Sequence, residues 1–115
     1  MNYTRIYADS QGESYFETID LQLNHQGSVG CLSVPIKVNE LFFRENEPNY
    51  DWDFHTAPAQ QFIVLLDGEI EIETSLGDKR RFKGGDILLV EDVTGKGHRT
   101  RNIMQTTRRS LFIKL

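Results

Sequence analysis

The chain has 115 residues, 13 lysines and arginines against 17 aspartates and glutamates (a formal charge of −4), and 38% hydrophobic residues. That length fits one domain, residues 1–115, and the composition excludes both disorder and a membrane-spanning helix, while the acidic balance argues against nucleic acid and membrane partners. A single cysteine, Cys31, excludes an intrachain disulfide and a cysteine-based zinc site, and the start, Met1-Asn2-Tyr3-Thr4-Arg5, lacks the apolar run of a signal peptide, so a cytoplasmic location is expected.

Short stretches alternating apolar and polar residues, separated by Gly, Asp, Asn or Pro, recur along the chain without helical periodicity, which predicts an all-β fold. Strands are expected at 5–8, at 15–23 with Ile19, Leu21 and Leu23 at period two, and at 36–44. The polar loop Glu45-Asn46-Glu47-Pro48-Asn49 belongs on the surface. From Gln61 to Thr74, two strand-like runs flank Asp67-Gly68, a dipeptide that tolerates positive φ, and the pattern predicts a β-hairpin. In its second strand Ile70 and Ile72 face the core while Glu69, Glu71 and Glu73 face water. In its first strand Phe62, Val64 and Leu66 share one face and Ile63 and Leu65 the other, so both faces require cover. An N-terminal segment or a second copy of the chain would supply it, and a homodimer is expected.

A second hairpin is expected around Leu76-Gly77-Asp78, with Lys79, Arg80 and Arg81 answering the glutamates across the strands. Gly84-Gly85-Asp86 forms a turn, residues 86–91 read as a buried strand, and 98–104 and 110–115 supply two more. Eight to ten strands at this spacing suit a sandwich or barrel.

Three histidines are present. His25 lies in a Gly- and Asn-containing turn sequence and reads as an exposed loop residue. His55 follows Trp52-Asp53-Phe54, and His98 follows the buried strand, so each sits at the mouth of a strand where it can line a cavity. Gln61 shares its strand face with Ile63 and Leu65; on an interior face its amide must find a partner in backbone, in His98, in water or in a ligand. Trp52 and Phe54 are candidates for an aromatic pocket wall. Arg99 and Arg101 lie on the opposite parity to His98 and Thr100 and are expected in solvent, whereas the direction of Arg44 is open. Gly95-Lys96-Gly97 lacks the spacing and the following helix of a phosphate-binding loop, and no serine or cysteine sits in a nucleophile motif, so no catalytic residue is assigned.

Residues 85–102, with Gly85-Asp86, an apolar strand, Gly95 three before His98 and Asn102 four after it, resemble the second cupin motif, with Val93 where that motif has Pro. Counting back from Gly68 aligns His55, Ala57 and Gln61 with the His, His and Glu of the first. The Asp-Val-Thr-Gly-Lys-Gly-His run is similar to that of small single-domain cupins of uncharacterised function. The resemblance implies a cupin-type double-stranded β-helix, a jelly-roll barrel, often dimeric, with a metal inside it. It places His55, Gln61 and His98 as ligands of a weakly held divalent metal (Fe, Ni, Zn, Mn or Cu), because Ala57 removes one imidazole and Gln61 the carboxylate. Asp53 would compensate if it shared the face of His55. Trp52, Asp53, Phe54, Ile63 and Asn102 would then line a pocket for a small organic ligand. The implied function is a metal-dependent oxygenase or isomerase; the alternative is a metal-free small-molecule-binding barrel without catalysis.

Overall fold

A computed structural model describes residues 1–115. Its strands are β1 (Asn2–Ala8), β2 (Ser14–Asp20), β3 (Asn24–His25), β4 (Cys31–Leu32), β5 (Glu40–Asn46), β6 (Asp51–His55), β7 (Gln61–Leu65), β8 (Glu69–Thr74), β9 (Lys79–Lys83), β10 (Ile87–Val90), β11 (His98–Asn102) and β12 (Arg108–Lys114), with a single 3-10 turn at Gly27–Val29. There is no α-helix, and no helix long and apolar enough to cross a membrane. A six-stranded sheet in the order β2-β1-β10-β7-β12-β5 faces a four-stranded sheet β6-β11-β8-β9, and β3 and β4 form a small separate hairpin. The all-β jelly-roll architecture expected from the alternating pattern is present.

The core lies between the two sheets. Ile6, Leu65, Leu88 and Val90 from the larger sheet meet Ile70, Ile72 and Phe82 from the smaller, with Phe16 and Ile63 packed against them. Ile70 and Ile72 are 3% and 2% exposed, as the alternation of β8 requires. On the opposite face Glu71 pairs with Arg101 at 2.8 Å and Arg81 at 3.8 Å. Arg80 departs from the expected charge ladder: its partner across the strands is Ile72, and its guanidinium lies 4.9 Å from the Phe16 ring.

The expected hairpin at Asp67-Gly68 is not formed. β7 pairs with β10 and β12, whereas β8 pairs with β9 and β11, so Asp67-Gly68 carries the chain from one sheet to the other. Asp67 anchors this corner by accepting hydrogen bonds from the backbone N–H and Nε of Arg109, at 2.6 and 2.7 Å. Gly68 has φ +70°, and a Cβ there would lie 3.0 Å from Cγ of Arg108. The dipeptide supplies the positive φ of a tight turn, but both runs find other partners. A hairpin between them would leave β10, β11 and β12 without these neighbours. The Leu76-Gly77-Asp78 turn does close a hairpin, with Glu73 opposite Lys79.

Other boundaries shift. β2 ends at Asp20, so Leu21 and Leu23 fall outside it, and β5 begins at Glu40. Asn46, expected on the surface, is 6% exposed because it ends a strand paired with Arg108. His25 is exposed, and Arg99 and Arg101 point to solvent against Asp51 and Glu71.

The outer face of the larger sheet is strongly apolar. The registers of β5, β12, β7 and β10 put Leu41, Phe43, Leu111, Ile113, Phe62, Val64, Ile87 and Leu89 on one side. Tyr3 covers Phe62 edge-on at 5.3 Å, but Phe43 remains 81% and Leu41 52% exposed. The N-terminal strand therefore covers Phe62 of β7 and leaves the β5 end of this face open.

Candidate functional site

A cavity of about 300 Å³ opens between the sheets. Its floor is aliphatic, from Ile63, Ile70, Ile72, Leu88 and Val90, and its polar groups fall into two sets. One set holds His55, His98, Gln61 and Trp52; the other holds Arg44, Arg108 and Tyr50.

The first set depends on close backbone packing. His98 follows Gly97, whose φ is +73° and where a Cβ would lie 2.0 Å from the carbonyl oxygen of His55. Only glycine lets β6 lie against the start of β11 and bring the two imidazoles to a centroid separation of 4.6 Å. The segment before it is held from the other side: the Ser14 hydroxyl donates to the Gly97 carbonyl at 2.7 Å, the Lys96 N–H to that of Gly12 at 2.9 Å, and Lys96 Nζ pairs with Glu13. The Gly95-Lys96-Gly97 run is thus a close backbone crossing.

The side-chain direction in β6 follows from an irregularity. His98 pairs with His55 and Thr100 with Trp52, so two residues lie between the inward-facing Trp52 and His55 where regular pairing would leave one. The Trp52 indole stacks on His55 at 3.6 Å with a 5° interplanar angle. The same irregularity denies Asp53 the face of His55. Its carboxylate accepts from the Phe54 N–H at 2.8 Å, and neither Asp53 nor Phe54 lines the cavity. Trp52 and Ile63 do line it. Asn102 lies behind the wall: its amide donates to the carbonyls of Glu47 and Pro48, and its Oδ1 accepts from Arg108 Nε at 3.0 Å.

His55 Nδ1 lies 2.8 Å from the carbonyl of Asp53, and His98 Nδ1 lies 2.6 Å from Oδ2 of Asp92. Carbonyl and carboxylate oxygens accept, so each Nδ1 carries the hydrogen, and in the neutral ring the lone pair falls to Nε2, which has no protein partner. Asp92, wholly buried, was not singled out from sequence; its position six residues before His98, just after a buried strand, was the available signal. Burial holds the His55 pKa below its ordinary range, and His98 and Arg44 add to that effect, against the opposing hydrogen bond to Asp53. Gln61 is 7% exposed, and it lines the cavity.

The second set was missed for Arg108 and left open for Arg44. Arg108 is 4% exposed, its one hydrogen bond goes to a neutral amide, and it has no carboxylate partner. Burial draws its pKa down, with the nearby Arg44 acting in the same direction and Tyr50 and Asp67 opposing. The guanidinium carbons of Arg44 and Arg108 lie 5.6 and 5.5 Å from the Tyr50 ring, and Arg44 also lies 4.8 Å from the Phe112 ring. A buried arginine ordinarily pairs with an acid. Here Arg108 borders the cavity instead.

His55, Gln61 and His98 are brought together, yet they do not fit a divalent cation. No group of three or more His, Cys, Asp or Glu side chains is arranged to hold one. The one nearby carboxylate, Asp92, sits behind His98 on its Nδ1, and two arginines share the cavity. Neutral donors beside two fixed positive charges raise the electrostatic cost of a dication.

Comparison with protein-family models and with curated sequences finds no match. Among solved structures, Drosophila melanogaster CENP-C bound to CAL1 is 14% identical, with 82% of this chain and 74% of that one covered and a TM-score of 0.53. The Schizosaccharomyces pombe Cnp3 cupin domain is also 14% identical, with 98% and 81% covered and a TM-score of 0.50. A Drosophila melanogaster CENP-C cupin domain is 17% identical over 65% of this chain, with a TM-score of 0.49, and the chain spans 56% of its length. At such identities the likeness concerns architecture, and the first two structures, with the two-sheet topology, establish that the chain has the cupin fold.

Proposed function

We propose that the protein binds a small organic carboxylate inside its barrel without a metal. The observation that carries this reading is Arg108, 4% exposed and lacking an acidic partner, on the wall of a cavity it shares with Arg44. A planar guanidinium suits a carboxylate or a phosphate. The aliphatic floor and the absence of a helix N-terminus or glycine-rich cradle favour the carboxylate. The apolar body of the ligand lies over Ile63, Ile70, Ile72 and Leu88, and its far end meets the Gln61 amide and the two imidazoles. Isothermal titration of 4-methylpentanoate and 4-methyl-2-oxopentanoate, with the corresponding amides and isobutyl phosphate alongside, tests it. Binding of the acids, loss with the amides and loss in Arg108→Gln are expected. Equal binding of acid and amide, or of neither, refutes the proposal.

We further propose that the outer face of the larger sheet pairs with a second copy of this chain. On β12 the apolar Leu111 and Ile113 point outward while Ser110 and Arg108 point inward, and on β5 Leu41 and Phe43 point outward while Arg44 and Asn46 point inward. Hydrophobic residues thus face out in the very strands whose inner side carries the site. A two-fold pairing of one patch with itself covers both copies, and a stable interface requires about 800 Å² per partner. Sedimentation of the wild type should give a dimer and Phe43→Glu a monomer; a wild-type monomer at about 100 μM, weaker than any stable dimer of that size, refutes the pairing.

A further inference from the structure

His98 is built as a base. Its Nδ1 is held 2.6 Å from Asp92 Oδ2, Asp92 is wholly buried, and the second oxygen of that carboxylate has no partner, so the acid serves the imidazole alone. A buried carboxylate on Nδ1 fixes the ring's orientation, keeps the lone pair on Nε2 and stabilises the imidazolium that forms when Nε2 takes a proton. Nε2 belongs to a ring on the cavity wall, in the same cavity as Arg108 and Gln61.

From these positions, and resting on the carboxylate-binding reading, we infer that the protein catalyses proton transfer at the carbon next to the carbonyl of a small oxo acid. Arg108 and Arg44 hold the carboxylate. His98 Nε2 removes the proton: the C–H bond breaks, its electron pair forms the new carbon–carbon double bond, and the carbonyl π pair moves onto oxygen. The Gln61 amide N–H donates to that oxygen as its charge grows. Return of the proton from the His98 imidazolium to carbon restores the carbonyl, so the step conserves electrons and needs no oxidant, reductant or metal. Delivery to the same carbon, after the imidazolium has exchanged its proton with solvent, gives hydrogen exchange at that carbon, and delivery to oxygen gives the enol. His98 is the catalytic residue and Asp92 its positioning residue.

The test is hydrogen exchange at C3 of 4-methyl-2-oxopentanoate in D2O, followed by proton NMR with the full chain, beside calorimetric binding of the same acid. Wild-type protein should accelerate exchange at least about 100-fold over buffer containing equimolar imidazole. His98→Gln should return the rate to background, and Asp92→Asn should lower it about tenfold or more and move the pH–rate profile, which loss of packing alone would not do. Nitrogen-15 NMR of the wild type should show His98 protonated on Nδ1 and not on Nε2; this reading stands even if a variant fails to fold. Binding without exchange overturns the base and leaves carboxylate binding intact. Absence of binding overturns both, and an Nε2–H tautomer in the wild type overturns the base alone.

Discussion

Replacing Arg108 by methionine separates stability from function and has a calculable sign. The guanidinium is 4% exposed and makes one hydrogen bond, from Nε to Asn102 Oδ1 at 3.0 Å. Loss of that charge-assisted bond, with Asn102 left short of a donor, costs about 2 kcal/mol. Against it stands the desolvation of an unpaired charge, several kcal/mol in a dry site and reduced to about 3 kcal/mol where one end borders a cavity open to solvent. Methionine occupies a similar length without charge, so the unliganded variant should be about 1 kcal/mol more stable, a rise of about 4 °C in Tm for a chain of this size. Binding should move the other way. Removing a guanidinium that holds a carboxylate in a buried site costs about 2 kcal/mol or more, at least about 30-fold in Kd. Thermal unfolding followed by far-UV circular dichroism, without ligand, gives the first quantity, and titration with 4-methyl-2-oxopentanoate the second. A fall in Tm of more than about 4 °C together with unchanged affinity would show that Arg108 is a structural strut, and the carboxylate reading would be lost with it.

Gly97→Ala should destabilise the protein by about 3 kcal/mol and abolish ligand binding, because its Cβ meets the His55 carbonyl and the backbone holds a positive φ; an unchanged denaturation midpoint would refute the close crossing as the device that pairs the histidines. Asp67 has its pKa lowered by the Arg109 backbone N–H and side chain, so its contribution to stability is fully present above its ordinary value near 3.8 and is lost as pH falls through the lower folded value. Asp67→Asn should therefore lower Tm at pH 6, with the difference from wild type shrinking below pH 3.8; a constant difference across that range contradicts the linkage. Elemental analysis of untagged protein should find transition metal far below one per chain, even after anaerobic incubation with Fe²⁺, Ni²⁺ or Zn²⁺. Stoichiometric metal lost in His98→Ala would instead place a cation at His55, Gln61 and His98.

Much of the architecture is legible in alternation. Ile70 and Ile72 against the glutamates of β8, and the buried run of β10, lead to the right strands and, for β8, the right faces. The corner at Asp67-Gly68 was not legible, because a turn dipeptide records the backbone angles it needs and says nothing of which strands the two arms will join. His55, Gln61 and His98 were legible through their spacing. Asp53 was misplaced because a one-residue irregularity between β6 and β11 reverses parity, and no local sequence signal marks it. Asp92 went unread beside its histidine because a carboxylate in a loop looks like any solvated one.

Arg108 escaped for a more instructive reason. By polarity alone β12 should turn Leu111 and Ile113 to the core and Arg108 and Ser110 to water, yet Arg108 and Ser110 are 4% and 1% exposed and the apolar pair lies on the outer face. β5 repeats the inversion, with Arg44 and Asn46 inside and Leu41 and Phe43 outside, whereas in β7 Gln61 shares the inner face with the apolar Ile63 and Leu65. Two neighbouring strands inverted in the same sense fit poorly with an unliganded monomer, which would hide charge and expose aromatic rings at once. Each half of the inversion calls for a partner of its own. On the proposed reading an anion in the barrel would compensate Arg108 and Arg44, and a second copy on the outer face would cover the leucines and phenylalanines. Because the same strands carry both faces, displacement of β5 or β12 on dimerisation would be felt directly by Arg44 and Arg108. The Phe43→Glu monomer should accordingly bind 4-methyl-2-oxopentanoate more weakly than the dimer, although Phe43 lies on the side of the sheet away from the cavity. Equal affinity in monomer and dimer would show that the two faces act independently.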